Sequence, residues 1–372
     1  MNPDAVMRFE HGVVHVIYAY DVGLSIDLSR AKHSIKDLTE LGAIKHKGYA
    51  PPYFQFDPPP LRGTQTVTPL CIGSRATRPE VDVVIYDFGG VSVIYEIEFS
   101  GSFEDLIAFS VELVGNSVFR EDSRQRVKSL LALIEPAVRQ ANIDALSEDY
   151  LVFQLAGFPG GSSLEDFATR HGPAIARLLR SEADPLSDQE IADVLSARVA
   201  FGRKDLALID WNAALLVDEE PEDVLRVIEF ANLQLLELRF LDRRLDRALD
   251  RSYEVMSADR SWTRLRMPGR VRGELRQVAR LQIDAAILYE RVNNALKLLG
   301  DQYLARVYRA TAQRFRVAEW NAGILRKLET IESIYDKLHD HATEIRMEAL
   351  EWIIIMLIAL ELLLPVLSRL DF

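Results

Sequence analysis

Cysteine is nearly absent from this sequence, because Cys71 is the only one in 372 residues. A single cysteine excludes an intramolecular disulfide, and a reducing compartment is the simple expectation. The residues around Cys71 predict that it lies in a strand and has a packing role. The histidines, acids and this cysteine do not follow the spacing of a structural metal site, so we predict no metal and no cofactor.

Leader-like features and excess positive charge are absent too. The first ten residues lack the apolar core of a secretory signal and the arginine-rich character of a transit peptide, so the bulk of the chain is expected in the cytoplasm. The net charge is −12 and the pI is about 5.2. An acidic chain is not typical of nucleic-acid binders, although a local basic patch can override the total.

Strand and helix patterns alternate in the first half of the chain. Two β-branched and aromatic runs, at 81–87 and 91–97, flank Phe88-Gly89-Gly90, which predicts a β-hairpin. From Asp218 onward the strand signal nearly disappears. The predicted fold class is therefore α+β: a mixed N-terminal α/β domain, then a long C-terminal helical hairpin or coiled-coil bundle that ends in a hydrophobic helix.

Three regions follow from this change in pattern. Residues 1–217 are predicted to form the α+β domain, residues 218–350 a helical bundle or coiled-coil stalk, and residues 351–372 a hydrophobic membrane-anchor segment.

The last long helix has the clearest periodicity, with apolar residues at alternating steps of four and three. Its predicted coiled-coil seam consists of Ile324, Leu328, Ile331, Tyr335, Leu338, Ala342 and Ile345. Charged residues occupy the other faces, as in a coiled coil. An intramolecular bundle and an intermolecular coiled coil both fit this pattern.

An apolar run from Trp352 to Leu367 follows the seam, with Glu361 as its one charge. The run has 16 residues, whereas a spanning helix needs about 20. Because it is apolar on every face, we expect a single-pass C-terminal anchor, with Trp352 at the interface and Glu361 against another helix. A buried core helix and a helix in the interface plane are the alternatives.

An arginine-rich stretch from Arg239 to Arg280 has twelve arginines, no lysine and six acids. Its densest part surrounds Trp262 and consists of Arg260, Arg264, Arg266, Arg270 and Arg272. Guanidinium groups bind phosphates through a rigid fork, so these are candidate ligands for RNA or anionic lipid headgroups. A salt-bridged helix pair is the alternative.

Asp87, Glu96 and Glu98 flank the predicted hairpin, and paired carboxylates on adjacent strands can hold a catalytic cation. Period two places Glu96 and Glu98 on one face, which we expect to be solvated. His11 and His15 are four residues apart, but in a strand rather than a helix. We therefore predict no catalytic residue, and a metal-dependent hydrolase remains an alternative.

Two segments resemble a known family. The hairpin run VVIYDFGGVSVIYEI, at 83–97, is similar to a signature of the required-for-meiotic-nuclear-division family, and Arg291-Val-Asn-Asn294 and 350–361 resemble its C-terminal helix. The resemblance covers roughly residues 80–370. It implies membrane anchoring and self-association, supplies no catalytic residue, and in the absence of an organelle leader it indicates a bacterial member.

The function expected from these features is a membrane-anchored, self-associating scaffold or tether without chemistry of its own. Its expected partners are other copies of the chain and a membrane. An RNA- or ribosome-associated factor that uses the arginine-rich loop is the first alternative, and the metal-dependent hydrolase is the second.

Overall fold

The computed structural model describes residues 8–35, 39–40, 58–157, 164–258, 283, 285–287, 289–290 and 302–367. Some helical side chains within these ranges are not described. By internal contacts the chain divides into two units. The first comprises Met1–Leu241 and Ile287–Asn321, and the second comprises Asp242–Ala286 and Ala322–Phe372. The three-part division at residues 217 and 350 stays a prediction.

Within the described residues, the first unit is built on a mixed sheet of ten strands. The described strands, ten in this sheet and two in a separate pair, are β1 (Arg8–Asp21), β2 (Ser25–Ile26), β3 (Thr39–Glu40), β4 (Leu61–Thr66), β5 (Cys71–Ile72), β6 (Arg75–Ile85), β7 (Gly90–Ser102), β8 (Val138–Arg139), β9 (Ser147–Leu155), β10 (Arg198–Val199), β11 (Leu206–Ile209) and β12 (Ala213–Val217). The order is β10-β11-β12-β9-β1-β7-β6-β4-β3, with β5 beside β6, while β2 and β8 pair separately. β12 runs parallel to β9, and the other pairs are antiparallel.

Helices alternate with the strands in the first part of the chain, and long helices make up the described C-terminal part. They are α1 (Leu28–Ser34), α2 (Phe103–Leu113), α3 (Ser117–Ile134), α4 (Leu164–Arg180), α5 (Asp188–Ser196), α6 (Glu222–Ala258), α7 (Gln302–Arg314) and α8 (Val317–Leu367). A sheet domain followed by long helices confirms the predicted α+β class.

One face of the sheet carries the main hydrophobic core. On β1 the even positions Val14, Val16, Tyr18 and Tyr20 are buried in it, because successive strand residues point to opposite faces. Matching residues of β6, β7 and β9 join them, and α2, α3 and α4 contribute to the same cluster. The odd positions of β1 therefore belong to the opposite face.

The first part of α6 covers that opposite face. Phe230 packs against Tyr86 and Phe88, with ring centroids 5.9 and 6.4 Å away. Leu233 lies so close to Gly90 that an added Cβ would be 2.7 Å from its Cδ2. Unlike a surface helix, this stretch buries four polar side chains as well: Glu229, Asn232, Gln234 and Glu237.

The predicted hairpin is confirmed as β6 and β7. The turn requires glycine, because Gly89 has a φ of 102° and an added Cβ would be 1.8 Å from the Gly23 carbonyl oxygen. The carbonyl oxygen of Gly89 accepts a hydrogen bond from Val22 N at 3.0 Å. The turn is thereby fixed against the end of β1.

Cys71 lies in a strand, as predicted, but the packing role was wrong. The cysteine is exposed and its thiol is free. The two-residue strand β5 pairs only with β6, and its register places Ile72, which is 5% exposed, toward the core instead.

In the second unit, Lys327 on α8 joins two acids of α6, with Nζ 2.6 Å from Asp242 Oδ1 and 2.6 Å from Asp246 Oδ1. The predicted seam begins here: Ile324 and Ile331 are buried and Leu328 is half-buried. The remaining seam residues are helical, and their side chains are outside the described part of the structure.

The C-terminal membrane anchor is a prediction that was wrong. No helix among the described residues is long and apolar enough to cross a membrane. The run that begins at Trp352 is shorter than the roughly 20 residues that a span needs, and Glu361 interrupts it. The predicted single-pass character, membrane localisation and interfacial role of Trp352 all depended on this anchor.

Candidate functional site: a polar cavity between helix and sheet

A cavity of about 290 Å³ lies between the sheet and the start of α6. It is lined by Val13, His15, Ile17, Arg62, Arg78, Asp82, Val84, Ile94, Glu96, Gln154, Pro221, Glu222, Leu225, Arg226 and Glu229. All of these residues belong to the first unit. The volume is close to the lower end, about 300 Å³, of small-molecule sites.

Strand register brings these side chains together. His15 is directly opposite Glu96 across the β1–β7 pair, and Ile17 is opposite Ile94. Asp82 is opposite Ile94 across the β6–β7 pair. Because cross-strand partners share a face, the odd positions of β1 and the even positions of β6 and β7 form one surface, on which His15, Asp82 and Glu96 lie among apolar side chains such as Ile17 and Ile94.

His15 is held at the floor of the cavity and is 5% exposed. Its Nε2 lies 2.9 Å from Gln154 Oε1, and its Nδ1 lies 3.7 Å from Glu96 Oε1. Burial lowers the pKa of His15, against the opposing effects of Gln154 and Glu96. The imidazole is therefore uncharged at neutral pH, and its ring is fixed by two strands.

Two arginines bind the carboxyl groups on the sheet side of the cavity. Arg62 pairs with Asp82, which also accepts a hydrogen bond from Thr64 Oγ1 at 2.6 Å. Arg78 binds Glu96 and also reaches Glu98, with Nη2 3.1 Å from Oε1. Such charge-assisted contacts are stronger than hydrogen bonds between neutral groups and hold the side chains in place.

Glu229 lies in a different environment. It is 3% exposed, and burial raises its pKa to about 7, although the charges of Arg62 and Arg226 lower it. Tyr86 Oη donates a hydrogen bond to Oε2 at 2.6 Å, and the pKa of Tyr86 is raised by burial, so the phenol stays protonated. A hydrogen bond from Ser92 on β7 also lowers the pKa of Glu229, as the bond from Tyr86 does, but burial outweighs both.

The cavity thus contains carboxyl groups in two different environments. Asp82 and Glu96 are paired with arginines, whereas Glu229 is desolvated and titrates near neutrality. A buried carboxyl group that titrates near the working pH is a candidate acid–base catalyst. The arrangement can bind a polar molecule and exchange a proton with it at neutral pH.

The structure brings only one of the three predicted hairpin acids to the cavity. Glu96 lines it, Glu98 lies on the same strand face but is largely exposed, and Asp87 is at the turn. Across the described part of the chain no group of three or more His, Cys, Asp or Glu side chains has an arrangement that could hold a metal ion. The predicted metal-dependent hydrolase has no such ligand set there.

The predicted phosphate ligands cannot be placed. Arg260, Arg264, Arg266, Arg270 and Arg272 all lie outside the described residues. The structure describes the side chain of Trp352, which is 68% exposed, but does not describe that of Glu361. The role of the arginine-rich loop stays a prediction.

Sequence patterns alone missed most of the cavity. The missed residues are His15 as a site residue, Arg62, Arg78, Asp82, Gln154, Arg226 and Glu229. One signal was present: Glu229 stands between Ile228 and Phe230, inside an apolar stretch of the helix. A charged residue that is apolar-flanked in a core-facing helix indicates a buried ionisable group.

The helix-covered mixed sheet makes this an α+β protein, with a buried acid in the wall of one cavity. The chain belongs to the family described as the N-terminal domain of uncharacterized protein MJ0711, which matches residues 11–223. Uncharacterized protein MJ0711 of Methanocaldococcus jannaschii is 27% identical over 230 residues, which are 61% of this chain and 68% of that protein. No solved structure matches this chain.

This family membership corrects the resemblance drawn from the sequence. The required-for-meiotic-nuclear-division family is not the family of this chain, and the archaeal relative contradicts a bacterial member. The reason is that the motif is not specific to one family, since two apolar runs around a glycine turn are typical of tight hairpins. The motif therefore indicates a hairpin and does not identify a family.

Proposed function

We propose that this protein is an enzyme that binds a small polar substrate in the helix–sheet cavity and transfers a proton to or from it. Glu229 is the proposed general acid and base. The single observation that carries the proposal is a buried carboxyl group in the wall of a cavity, with a pKa that burial raises to about 7. General acid–base catalysis is most efficient when the pKa lies near the working pH.

The neighbours of Glu229 support this role. Tyr86 donates a hydrogen bond to Oε2 and so holds the carboxyl group in place. The ion pairs Arg62–Asp82 and Arg78–Glu96 provide fixed charges that can orient a substrate. Fixed charges in a partly dry site stabilise developing charge without reorganisation of water. This proposal replaces the scaffold without chemistry as the function that the cavity supports best.

The test is a search for turnover. Wild-type protein is incubated with a mixture of small polar metabolites, and the mixture is followed by proton NMR and mass spectrometry. We expect at least one compound to be consumed by the wild type, and consumption to fall by about a hundredfold or more in Glu229→Gln, because Gln cannot exchange a proton.

Two further variants control this experiment. Leu225→Trp fills the cavity and should also abolish consumption, whereas Leu133→Trp changes a 60% exposed residue of α3 and should not. Undiminished turnover by Glu229→Gln, or by Leu225→Trp, would rule out the proposed site.

A second candidate function, self-association through the end of α8, has its own observation. Residues 352–358 are all apolar and each is at least 53% exposed. Seven consecutive residues cover the whole circumference of a helix, so one packed neighbour cannot bury them. The seam continues into this stretch at Trp352 and Met356, which are 68% and 71% exposed.

We propose that the same segment of other copies covers this surface. A closed, symmetric bundle of identical helices buries every apolar face at once and leaves none for further growth. In sedimentation velocity, wild type should form a discrete oligomer, and Trp352→Glu/Met356→Glu should sediment as a smaller species. Glu351→Gln, an exposed change at the adjacent position, should behave as wild type. A monomeric wild type at all concentrations contradicts this candidate.

A further inference from the structure

We propose that the substrate of the cavity carries a carboxylate or phosphate group, which is bound between Arg62, Arg226 and the carboxyl of Glu229. This inference rests on the proposed function, since it names the chemical class of the substrate for the same site. Arg226 is three residues before Glu229 on α6, so both side chains lie on one face of the helix. Arg62 reaches the same place from β4.

Two arginines favour an anion over a neutral or cationic group. Arg62 and Arg226 both act electrostatically on the Glu229 carboxyl, and both line the cavity. Arg62 pairs with Asp82, and Arg226 Nη1 lies 3.8 Å from Asp223 Oδ1. A guanidinium has five N–H donors in a rigid fork, which matches the geometry of both a carboxylate and a phosphate.

The acids beside the cavity are themselves paired with arginines. Asp82 is bound by Arg62 and Thr64, Glu96 by Arg78, and Asp223 by Arg226. The charged and titratable groups that face Glu229 across the cavity or along its helix are Arg62 of β4, Arg78 and Asp82 of β6, Tyr86 of the hairpin turn, Glu96 of β7, His15 of β1, and Glu222, Asp223 and Arg226 of α6. The positive charge nearest to Glu229 therefore belongs to Arg62 and Arg226.

Glu229 gives this binding a pH dependence of known sign. Without a bound anion, the Glu229 carboxyl has a pKa of about 7. An anion beside it disfavours the carboxylate, so anion binding raises the pKa of Glu229 further. Anion binding thus takes up a proton near neutral pH. As the pH rises through about 7, the affinity falls by up to about tenfold per pH unit.

The experiment is isothermal titration calorimetry of the full chain with two probes. Sulfate represents the tetrahedral phosphate source and has no pKa near neutrality, and malonate represents the carboxylate source. Each titration is run at about pH 7.5 in two buffers of different ionisation enthalpy, which counts the protons taken up. We expect at least one probe to bind the wild type with net proton uptake, and the probe that binds identifies the source.

The variants make the result specific. Arg226→Gln should weaken binding about tenfold or more, whereas Arg203→Gln, on the exposed turn between β10 and β11, should leave it unchanged. Glu229→Gln keeps a donor at the same place, so it should still bind the probe but without proton uptake. Binding by neither probe, equal binding by Arg226→Gln, or proton uptake that persists in Glu229→Gln would each overturn the proposal.

Failure of this inference differs from failure of the proposed function. If neither probe binds while a neutral metabolite is consumed in a Glu229-dependent way, the anionic substrate class is wrong and the acid–base function stands. If a probe binds as expected and no metabolite is consumed, the anion site stands without the chemistry.

Discussion

Glu229 shows how one residue escapes prediction from sequence. A helical pattern normally assigns an acid between apolar positions to the solvated side. Here α6 is covered on several sides, since neighbours such as Ile228, Phe230 and Ala231 are buried as well. The sequence contains the signal of an acid in an apolar stretch, but only the second face of the sheet supplies the partner Tyr86, which is 143 residues away.

The raised pKa of Glu229 predicts a change of stability with pH. The pKa is 4.5 for the unperturbed group and about 7 in the folded protein. Between these values the folded state binds more protons, so the free energy of unfolding falls as the pH rises. Relative to Glu229→Gln, wild type should lose about 2–3 kcal/mol between about pH 5 and about pH 8.

Chemical denaturation at the two pH values measures this loss, with Glu121→Gln on the exposed face of α3 as the control. The control should follow the wild-type profile. A constant difference between wild type and Glu229→Gln at both pH values would contradict the assigned burial effect.

At the scale of elements, local patterns predicted what local residues determine. The β6–β7 hairpin was predicted because its strands are separated by a few residues. β12 was missed although its partner β11 is also close in sequence, because Ala213–Val217 is short and lies between β11 and the parallel strand β9. Parallel pairing across a long connection leaves no alternating pattern to read, because such strands are buried on both faces.

The turn of the hairpin permits a matched comparison of two glycines. Gly89→Ala places a methyl group 1.8 Å from the Gly23 carbonyl oxygen at a φ of 102°, whereas Gly115→Ala, at a φ of 65°, meets no atom within 4 Å. We expect Gly89→Ala to lower the free energy of unfolding by more than about 3 kcal/mol. Gly115→Ala should lower it by about 1 kcal/mol, and urea denaturation distinguishes the two. Equal losses would contradict the close approach of turn and strand.

At the scale of the whole molecule, the family match and the compact unit do not end at the same place. The match ends at residue 223, one residue after α6 begins, whereas the first unit continues to Leu241 and includes Ile287–Asn321. Arg226 and Glu229 lie beyond the match, and the strands that form the floor of the cavity lie within it.

Truncation at these two boundaries should give different outcomes. A chain of residues 1–223 lacks Phe230 and Leu233 and leaves Tyr86, Phe88 and the cavity-lining face of the sheet without cover. We expect it to aggregate or to unfold without a cooperative transition. A chain of residues 1–321 retains the first unit and should melt cooperatively. Circular dichroism melting compares the two, and cooperative folding of 1–223 would mean that α6 is dispensable to the sheet.

The position of β1 has a consequence for the order in which the chain acquires its structure. β1, the earliest of the described strands along the chain, lies at the middle of the sheet, between β7 and β9, and the hydrogen bond of His15 joins residues 139 apart. Both of its edges stay unsatisfied until those later strands leave the ribosome, and α6 follows only after them. Long-range pairing of this kind makes folding slow and leaves strand edges open to wrong partners. The nascent chain therefore keeps one edge of its central strand open until β9, which ends at Leu155, has been made.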